Sequence, residues 1–327
     1  MDQFLIGVDM GGTNLRMGII TPDGKVFKKN QYSIDTSKKA SELIEELISK
    51  LKDLIQKELK DPKQLIGIGV GIAGLINMKK GIISESPNIR DLKDFRLRDF
   101  LEKEIPYPIA IENDANAFTL GEGWVGAAKG CKHYCGITLG TGVGGGIVVE
   151  GRILHGTEGM AGEVGHMVIA LDGPLCGCGG RGCLEVYASG TAVRRMALEA
   201  IAKGNGLFKW SQDDLKNLNS ENVFEAAKSG EATAQKIFHE MGVYLGLGLV
   251  NLIHLFNPEK IVIGGKVSEA WDFFSPSAIR TVQERSMKGP RETVEIVKSK
   301  CGDDAGMLGA AYSALTEIAD CRLRIAD

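Results

Sequence analysis

The sequence predicts an α/β protein built from two related halves. Apolar segments of strand length alternate with amphipathic segments of helix length along the 327 residues, which is typical of sheets with helices packed on them. One arrangement, a strand, a loop rich in glycine and threonine, a second strand, a turn and a third strand, begins at Phe4 and again at Tyr134. Because a repeated supersecondary unit indicates an internal duplication, we expect two α/β domains with one copy each.

The first copy opens the chain. Residues 4–9 alternate as a buried strand, residues 10–14 form a tight turn, and residues 15–20 return as the second strand. The elements predicted after it are a strand over 25–32, a helix over 40–59, a strand over 66–72, a helix over 92–104 and a short strand over 109–111.

The second copy begins with a strand over 134–139, a loop over 140–146 and a return strand over 147–149. The later elements are a short strand over 152–154, a helix over 192–203 with Thr191 as its N-cap, helices over 223–228 and 232–256, strands over 260–263 and 294–298, and a last helix that ends near residue 319. We assign residues 1–117 and about 300–327 to a small N-terminal domain and residues 118–299 to a large C-terminal domain.

The composition disfavours several classes of protein. A net charge of −3 with scattered Lys and Arg residues gives no basic surface for nucleic acid. The longest apolar run, residues 241–256, is too short and too polar to span a membrane, and no signal peptide precedes the first strand. Seven cysteines do not resemble a disulfide framework. We therefore expect a cytoplasmic protein with neither nucleic acid nor membrane as a partner.

A segment of the second half carries four metal-binding side chains. His166, Cys176, Cys178 and Cys183 fall within 18 residues, and one histidine with three cysteines is a complete ligand set for a tetrahedral zinc ion. Such a site has no open coordination position, so its role would be structural. The alternative, three reduced cysteines and a core histidine that are neighbours by chance, is opposed by their spacing and by the glycines between them.

Each copy of the repeat has a glycine-rich loop that could bind phosphate. The second loop, Gly140 to Gly145, also fits the G-x-G-x-x-G pattern of dinucleotide folds, in which the third glycine opens a helix. Here a β-branched run, Ile147 to Val149, follows and favours a strand. With hydroxyls from Thr13 and Thr141, each loop could form an anion-binding concavity, and an ordinary tight turn is the alternative.

The first of these loops resembles a known one. Asp9 to Arg16 has the form D-x-G-G-T-x-x-R, which is similar to the phosphate loop of the actin, Hsp70 and sugar kinase superfamily. The resemblance implies a two-domain actin-like ATPase fold of the hexokinase and ribonuclease H-like type. In that fold each domain has a five-stranded mixed sheet, and ATP is bound in the cleft between the domains.

The metal-binding segment resembles one particular family of this superfamily. Residues Glu163 to His166 have the form E-x-G-H, and Cys176 to Glu185 has the form C-x-C-G-x-x-G-C-x-E. Both are similar to signatures of the ROK family of repressors, open reading frames and kinases. The resemblance extends from Leu5 to about Ala311 and is closest to bacterial-type glucokinases. It implies transfer of a phosphoryl group from ATP, with Mg²⁺, to the 6-hydroxyl of a hexose by a homodimer or homotetramer.

Glucose is the hexose that we expect first. N-acetylmannosamine, N-acetylglucosamine, fructose and mannose stay open, because specificity depends on the pocket volume around one or two hydroxyls. The family also contains transcription regulators with an N-terminal helix-turn-helix, and only three residues precede the first strand here, which disfavours that class. A polymerising actin-like ATPase is opposed by the sugar-side residues and the metal-binding segment.

Asp114 is the predicted general base. Phosphoryl transfer needs a carboxylate that accepts the proton of the attacking hydroxyl. Asp114 lies in the run Glu112-Asn113-Asp114-Ala115-Asn116 directly after a predicted strand, and this run matches the base motif of the family. The alternative for an aspartate at such a position is a turn residue or a helix cap.

The resemblance also implies binding residues. Asp9 would bind Mg²⁺ through water, and Lys266 stands where the family often has a third glycine, which leaves the adenine contacts open. The residues implied for the sugar are Gly74, Asn88, Asn113, Asp114, Glu163, His166 and Glu185. Those implied for the nucleotide are Asp9, Gly11, Gly12, Thr13, Asn14, Arg16, Gly140, Thr141, Gly142, Gly264 and Gly265.

Overall fold

A computed structural model describes residues 3–326 except 79, 87, 88, 90 and 205–214, without the side chains of 320–326. The strands of this part are β1 (Phe4–Met10), β2 (Asn14–Ile20), β3 (Val26–Ser33), β4 (Leu65–Ile72), β5 (Leu75–Asn77), β6 (Ile82–Glu85), β7 (Ile109–Asn113), β8 (Tyr134–Leu139), β9 (Val143–Val149), β10 (Arg152–Ile153), β11 (Lys260–Gly264) and β12 (Glu295–Lys298). Its α-helices are α1 (Ala40–Glu58), α2 (Leu97–Glu104), α3 (Asp114–Trp124), α4 (Glu185–Ala188), α5 (Gly190–Ala202), α6 (Ser220–Lys228), α7 (Ala232–Phe256), α8 (Trp271–Arg285), α9 (Lys288–Thr293) and α10 (Ala305–Ala326).

The chain divides into two compact units. The first consists of Met1–Gly130, Arg152–Gly162 and Lys300–Asp327, and the second of Cys131–Gly151 and Glu163–Ser299. The predicted boundary at residue 117 falls inside α3, where a continuous helix carries the chain onward. The domain limits given above stay a prediction.

The first unit is organised by a five-stranded sheet in the order β3-β2-β1-β4-β7. Strands β1 and β2 are antiparallel, whereas β4 runs parallel to both β1 and β7. The register pairs Asp9 with Gly71, and Ile72 with Asn113. Because parallel strands end at the same edge of a sheet, the polar residues that follow β1 and β7 are brought to one edge.

Helices cover both faces of this sheet. The apolar stripe of α1, which includes Leu43 and Leu47, belongs to the same core as Ile6 and Val8 of β1. On the opposite face α10 packs against β1 and β4, and the sheet is glycine-rich where it does so. A Cβ atom at Gly69 would lie 1.7 Å from the carbonyl oxygen of Ala310, so close packing of this helix requires glycine there.

The second sheet repeats the topology of the first. Its strand order is β10-β9-β8-β11-β12. Strands β8 and β9 are antiparallel, and β11 runs parallel to both β8 and β12. The strand order and the directions of β8, β9, β11 and β12 therefore match the first sheet, which agrees with the predicted internal duplication. None of the helices in the described ranges is long and apolar enough to cross a membrane.

Several predicted element limits are wrong. Helix α2 starts at Leu97 rather than at residue 92, because the backbone of Phe95 is hydrogen-bonded to that of Ile83. Strand β9 starts at Val143, so the loop before it is only three residues long. The N-cap of α5 is Ser189, whose hydroxyl accepts from the backbone N–H of Ala192 at 3.0 Å, and not Thr191. The sequence predicts neither the hairpin β5–β6 nor helices α3, α4, α8 and α9.

Candidate active site and metal centre

The carboxylate of Asp9 lies at the edge where β1 ends. Arg16, its cross-strand partner on β2, approaches it with Nη1 3.5 Å from Oδ2, and Nη2 of the same guanidinium lies 3.2 Å from Oδ2 of Asp303. Burial, and next the charge of Asp114, raise the pKa of Asp9 to about 6. Since this carboxylate is costly to ionise, a bound cation would be favoured beside it.

The glycine turn after β1 is tight and held by hydrogen bonds. The N–H of Gly11 donates to the carbonyl of Asn14 at 3.0 Å. The amide of Asn14 donates to the hydroxyl of Thr13 at 3.0 Å and accepts from the amide of Gln31 at 3.1 Å. These contacts fix the turn that contains the predicted phosphate-binding residues of the first unit.

Asn113 and Asp114 form the start of α3. Oδ1 of Asn113 accepts from the N–H groups of Ala115 at 2.9 Å and Asn116 at 3.1 Å, so Asn113 is the N-cap. Its Nδ2 donates to the carbonyl of Gly74 at 3.1 Å, which joins two residues predicted for the sugar. Both polar atoms of the Asn113 side chain are therefore hydrogen-bonded, which fixes the residue next to Asp114.

Asp114 is the first residue of α3. Its Oδ1 accepts from the N–H of Ala115 at 3.0 Å. Burial raises the pKa of Asp114, and this backbone hydrogen bond opposes the shift. A carboxylate with a raised pKa is a better proton acceptor, as a general base requires.

The sequence predicts no role for Glu112 and His155, which are in contact in the structure. Glu112, near the end of β7, is only 1% exposed, and its Oε2 lies 2.8 Å from Nε2 of His155. The pair is separated by 43 positions in the sequence, and His155 lies in an irregular segment, so no local pattern indicates the contact. Asn88, which was predicted for the sugar, lies outside the described residues.

In the second unit, the glycine loop between β8 and β9 is joined to Glu185. Oε2 of Glu185 accepts from the N–H of Val143 at 3.1 Å. A Cβ atom at Gly142 would lie 2.1 Å from the same oxygen. Glycine at this position therefore allows the carboxylate to approach the loop.

The predicted nucleotide residues of this unit gather at the same loop. The N–H of Gly190 donates to the carbonyl of Gly140 at 2.7 Å, and the hydroxyl of Thr191 donates to that of Thr141 at 2.7 Å. Gly265, with φ +82°, follows β11, and a Cβ there would lie 2.5 Å from the carbonyl oxygen of Leu139 at the end of β8.

Lys266, which follows the Gly264-Gly265 turn, is held at the surface. Its Nζ lies 2.8 Å from Glu269 and 3.6 Å from Glu221, and the hydrogen bond to Glu269 raises its pKa. The side chain therefore lies in an acidic environment beside the Gly264-Gly265 turn.

His166, Cys176, Cys178 and Cys183 form a cluster whose ligand atoms all lie within 4.8 Å of one another. Sγ of Cys178 is 3.8 Å from Sγ of Cys183, and Sγ of Cys176 is 3.6 Å from Nδ1 of His166. Around a tetrahedral zinc ion, metal–ligand distances of about 2.3 Å and 2.0–2.1 Å would separate two sulfurs by about 3.8 Å and a sulfur from a nitrogen by about 3.5 Å. The donor set and the spacing therefore fit a zinc ion.

The cluster lies beside the two carboxylates predicted for the sugar in this unit. Oε1 of Glu185 is 3.7 Å from Sγ of Cys176. Oε2 of Glu163 is 4.0 Å from Nε2 of His166, the ring nitrogen that faces away from the cysteines. The fold thus brings Glu163, His166 and Glu185 together around one centre.

Comparison with known proteins shows the family of this chain. The chain matches the ROK family over residues 5–317. It belongs to that family. It is 39% identical over 317 residues to a glucokinase of Halalkalibacterium halodurans, a match that covers 95% of this chain and 94% of that one. It is 29% identical to the xylose repressor of Caldicellulosiruptor bescii, with 96% of this chain but 78% of the repressor covered.

A solved structure agrees with the fold. The crystal structure of a ROK family glucokinase from Streptomyces griseus in complex with glucose and AMPPNP matches with a TM-score of 0.80 at 31% identity, covering 96% of this chain and 99% of that one. The predicted fold class, the two-domain actin-like ATPase fold, is confirmed.

Proposed function

We propose that this ROK protein is an ATP-dependent glucokinase that phosphorylates the 6-hydroxyl of glucose, with Asp114 as the general base. The observation that carries the proposal is the placement of Asp114: its carboxylate starts α3 at the sheet edge that also presents Asp9. The names of the Halalkalibacterium and Streptomyces relatives support glucose as the substrate.

In this proposal the chain supplies a proton acceptor and an ordered surface for phosphate. Asp114 takes the proton of the attacking sugar hydroxyl. The oxygen of that hydroxyl bonds to the transferred phosphorus, and the bond between this phosphorus and the rest of the nucleotide breaks. Backbone N–H groups of the two glycine turns would bind the phosphates. Asp9 would hold Mg²⁺ through water, and that ion would neutralise phosphate charge during transfer.

The adenine would bind beside the Gly264-Gly265 turn. A surface depression there is lined by apolar side chains from α6, α7 and the turn, together with Lys266 and two carboxylates. Half of the lining residues are polar or charged, so hydrogen-bonding groups lie there beside apolar side chains. The lining residues are Ser220, Glu221, Phe224, Phe238, Lys266, Val267, Glu269 and Ala270.

Zinc would shape the sugar-binding side of the second unit. With Nδ1 of His166 and three thiolates as ligands, Nε2 of the same ring stays available to a sugar hydroxyl. Glu163 and Glu185 would accept hydroxyl protons, as carboxylates do. The residues proposed for the sugar in the first unit are Gly74, Asn88 and Asn113.

A coupled assay with glucose, mannose, fructose, N-acetylglucosamine and N-acetylmannosamine tests the proposal. We expect the highest kcat/KM with glucose; a higher value with another of these sugars would replace glucose as the substrate. The regulator alternative is weaker, because the repressor is less similar and less completely covered. Specific retention on operator DNA at physiological salt, without sugar kinase activity, would favour it.

The assembly and the cellular location complete the proposal. A homodimer or homotetramer in the cytoplasm is expected for this kinase. Sedimentation velocity with the purified full chain measures the first, and a monomer at micromolar concentration would contradict it.

A further inference from the structure

Glu112 is a buried carboxylate with a complete set of donors. Its Oε1 accepts from the N–H of Asn113 and from Nδ2 of Asn116, each at 3.0 Å, and its Oε2 faces Nε2 of His155 at 2.8 Å. A buried carboxylate without such partners costs several kcal/mol. Since the residue is 1% exposed, its position depends on these three groups.

The contacts on Oε1 bracket the proposed base. Asn113 precedes Asp114, and Asn116 follows it by two positions in the first turn of α3. The position of Glu112 therefore sets the position of the turn that carries Asp114. Of its three partners, only His155 comes from another part of the chain.

The segment that carries His155 is itself fixed within the first unit. The N–H of Ala161 donates to the carbonyl of His155 at 3.1 Å. The amide of Asn77, in β5, donates to the carboxylate of Glu158 at 2.6 Å. The hydrogen bond to Glu112 also raises the pKa of His155, while burial opposes this. His155 thus joins an anchored segment to the strand that ends at the base.

We propose that His155 is a positioning residue for phosphoryl transfer, which fixes the Asn113–Asn116 turn, and with it Asp114, through its hydrogen bond to Glu112. This inference rests on the proposed role of Asp114. It extends that role to a residue that neither the motifs nor the comparisons single out.

Kinetics of two variants test the inference. His155→Leu removes the donor, and we expect kcat on glucose to fall roughly 10- to 100-fold, since small misplacements of a reacting group have effects of this size. The KM for ATP should change less than about threefold, because the residues proposed for the nucleotide are left in place. The KM for glucose should change less than kcat, because only Asn113 and Asp114 of the residues proposed for the sugar lie in this turn. His155→Gln places an amide N–H near the position of Nε2 and should recover most of kcat.

His133→Leu is the matched control. His133 also faces a carboxylate, with Nε2 3.3 Å from Glu150, but it lies in the second unit, and its side chain is similarly exposed at 34%. We expect unchanged kinetics. Equal losses in His155→Leu and His155→Gln, or a loss that appears in KM instead of kcat, would overturn the positioning role.

Amide hydrogen exchange separates this inference from the proposed function, because it needs no activity. In His155→Leu the amides of residues 113–116 should exchange faster than in the wild type, while those of α1 stay unchanged. If the wild type phosphorylates glucose and exchange at 113–116 is unaltered, the inference is wrong. If the wild type does not phosphorylate glucose, the proposed reaction is overturned, and faster exchange in His155→Leu would then show only that His155 orders the Asn113–Asn116 turn. If the leucine variant does not fold, His155→Asn, whose shorter amide cannot reach Glu112, replaces it.

Discussion

The carboxylate of Glu185 accepts a hydrogen bond from the backbone N–H of Val143 at 3.1 Å, across 42 sequence positions. The same carboxylate lies 3.7 Å from the thiol of Cys176. Glu185 therefore connects the glycine loop of the second unit with the metal centre. A change in the glycine loop should therefore alter the metal centre, and a change in the metal centre should alter the loop.

Substitution of Gly142 tests this connection. A methyl group at Gly142→Ala would lie 2.1 Å from Oε2 of Glu185, so the carboxylate or the loop must move. Displacement of the carboxylate would break its hydrogen bond to Val143, and we expect KM for glucose to rise roughly tenfold. Gly289→Ala, where nothing lies within 4 Å of the new methyl, is the control. Unchanged sugar affinity in Gly142→Ala would contradict the connection.

Loss of one cysteine ligand tests the zinc centre. We expect Cys178→Ser to lower the zinc content and to raise KM for glucose together, because a zinc ion held by the cluster would order the segment that carries Glu163, His166 and Glu185. A structural zinc site contributes on the order of 10 kcal/mol to the order of its segment. Metal content by mass spectrometry and steady-state kinetics provide the readouts, with Cys131→Ser, outside the cluster, as the control. Normal glucose binding by the zinc-free protein would disprove the scaffold role.

The dependence of kcat on pH follows from Asp114. A general base must be ionised, and burial raises the pKa of Asp114 above its ordinary 3.8. As pH falls through this raised value the base is protonated, so kcat should decline at a pH above 3.8. Rate measurements at saturating glucose and ATP between pH 4.5 and 8 check this. A kcat that falls only as the pH approaches the pKa of an ordinary aspartate would contradict the raised pKa.

Asp9 makes stability depend on pH in the ligand-free protein. Its pKa rises from 3.8 in the unfolded chain to about 6 in the folded one, so the charged form destabilises the fold above pH 6 and the penalty disappears as pH falls toward 3.8. Each pH unit in that window contributes about 1.4 kcal/mol, or about 3 kcal/mol altogether. The stability advantage of Asp9→Asn over the wild type should therefore be larger at pH 7.5 than at pH 4.5.

Urea unfolding without nucleotide and divalent cations measures this difference at both pH values. Asp272→Asn, at an exposed position of α8, is the control and should show no such change with pH. An advantage of Asp9→Asn that is equal at the two pH values would show that burial does not penalise the charge.

Local patterns in the sequence predict much of this fold. The alternation of Phe4 to Asp9 and the glycine turn after it recur at Tyr134, and the two sheets share one topology. The predicted start of α2 is too early, because Leu92 continues the apolar spacing of a helix. In the structure the backbone of Phe95 is hydrogen-bonded to that of Ile83 instead. Tertiary pairing overrides local periodicity at this point.

The site was predictable where its residues are close in sequence. The metal ligands fall within 18 residues, and Asp114 lies in a five-residue motif. The alternative role considered for Asp114, a helix cap, belongs to its neighbour: Asn113 is the N-cap and Asp114 is the first residue of α3. His155 could not be found in this way, since only the fold brings it to Glu112.

The turnover of Asp114→Asn on glucose tests the central claim most directly. The amide cannot accept the hydroxyl proton, so kcat should fall by roughly 10² to 10⁴, while the affinity for glucose changes far less and Asp272→Asn stays at the wild-type rate. Near-normal turnover of Asp114→Asn, in a protein whose wild type phosphorylates glucose, would contradict the assignment of Asp114 as the base.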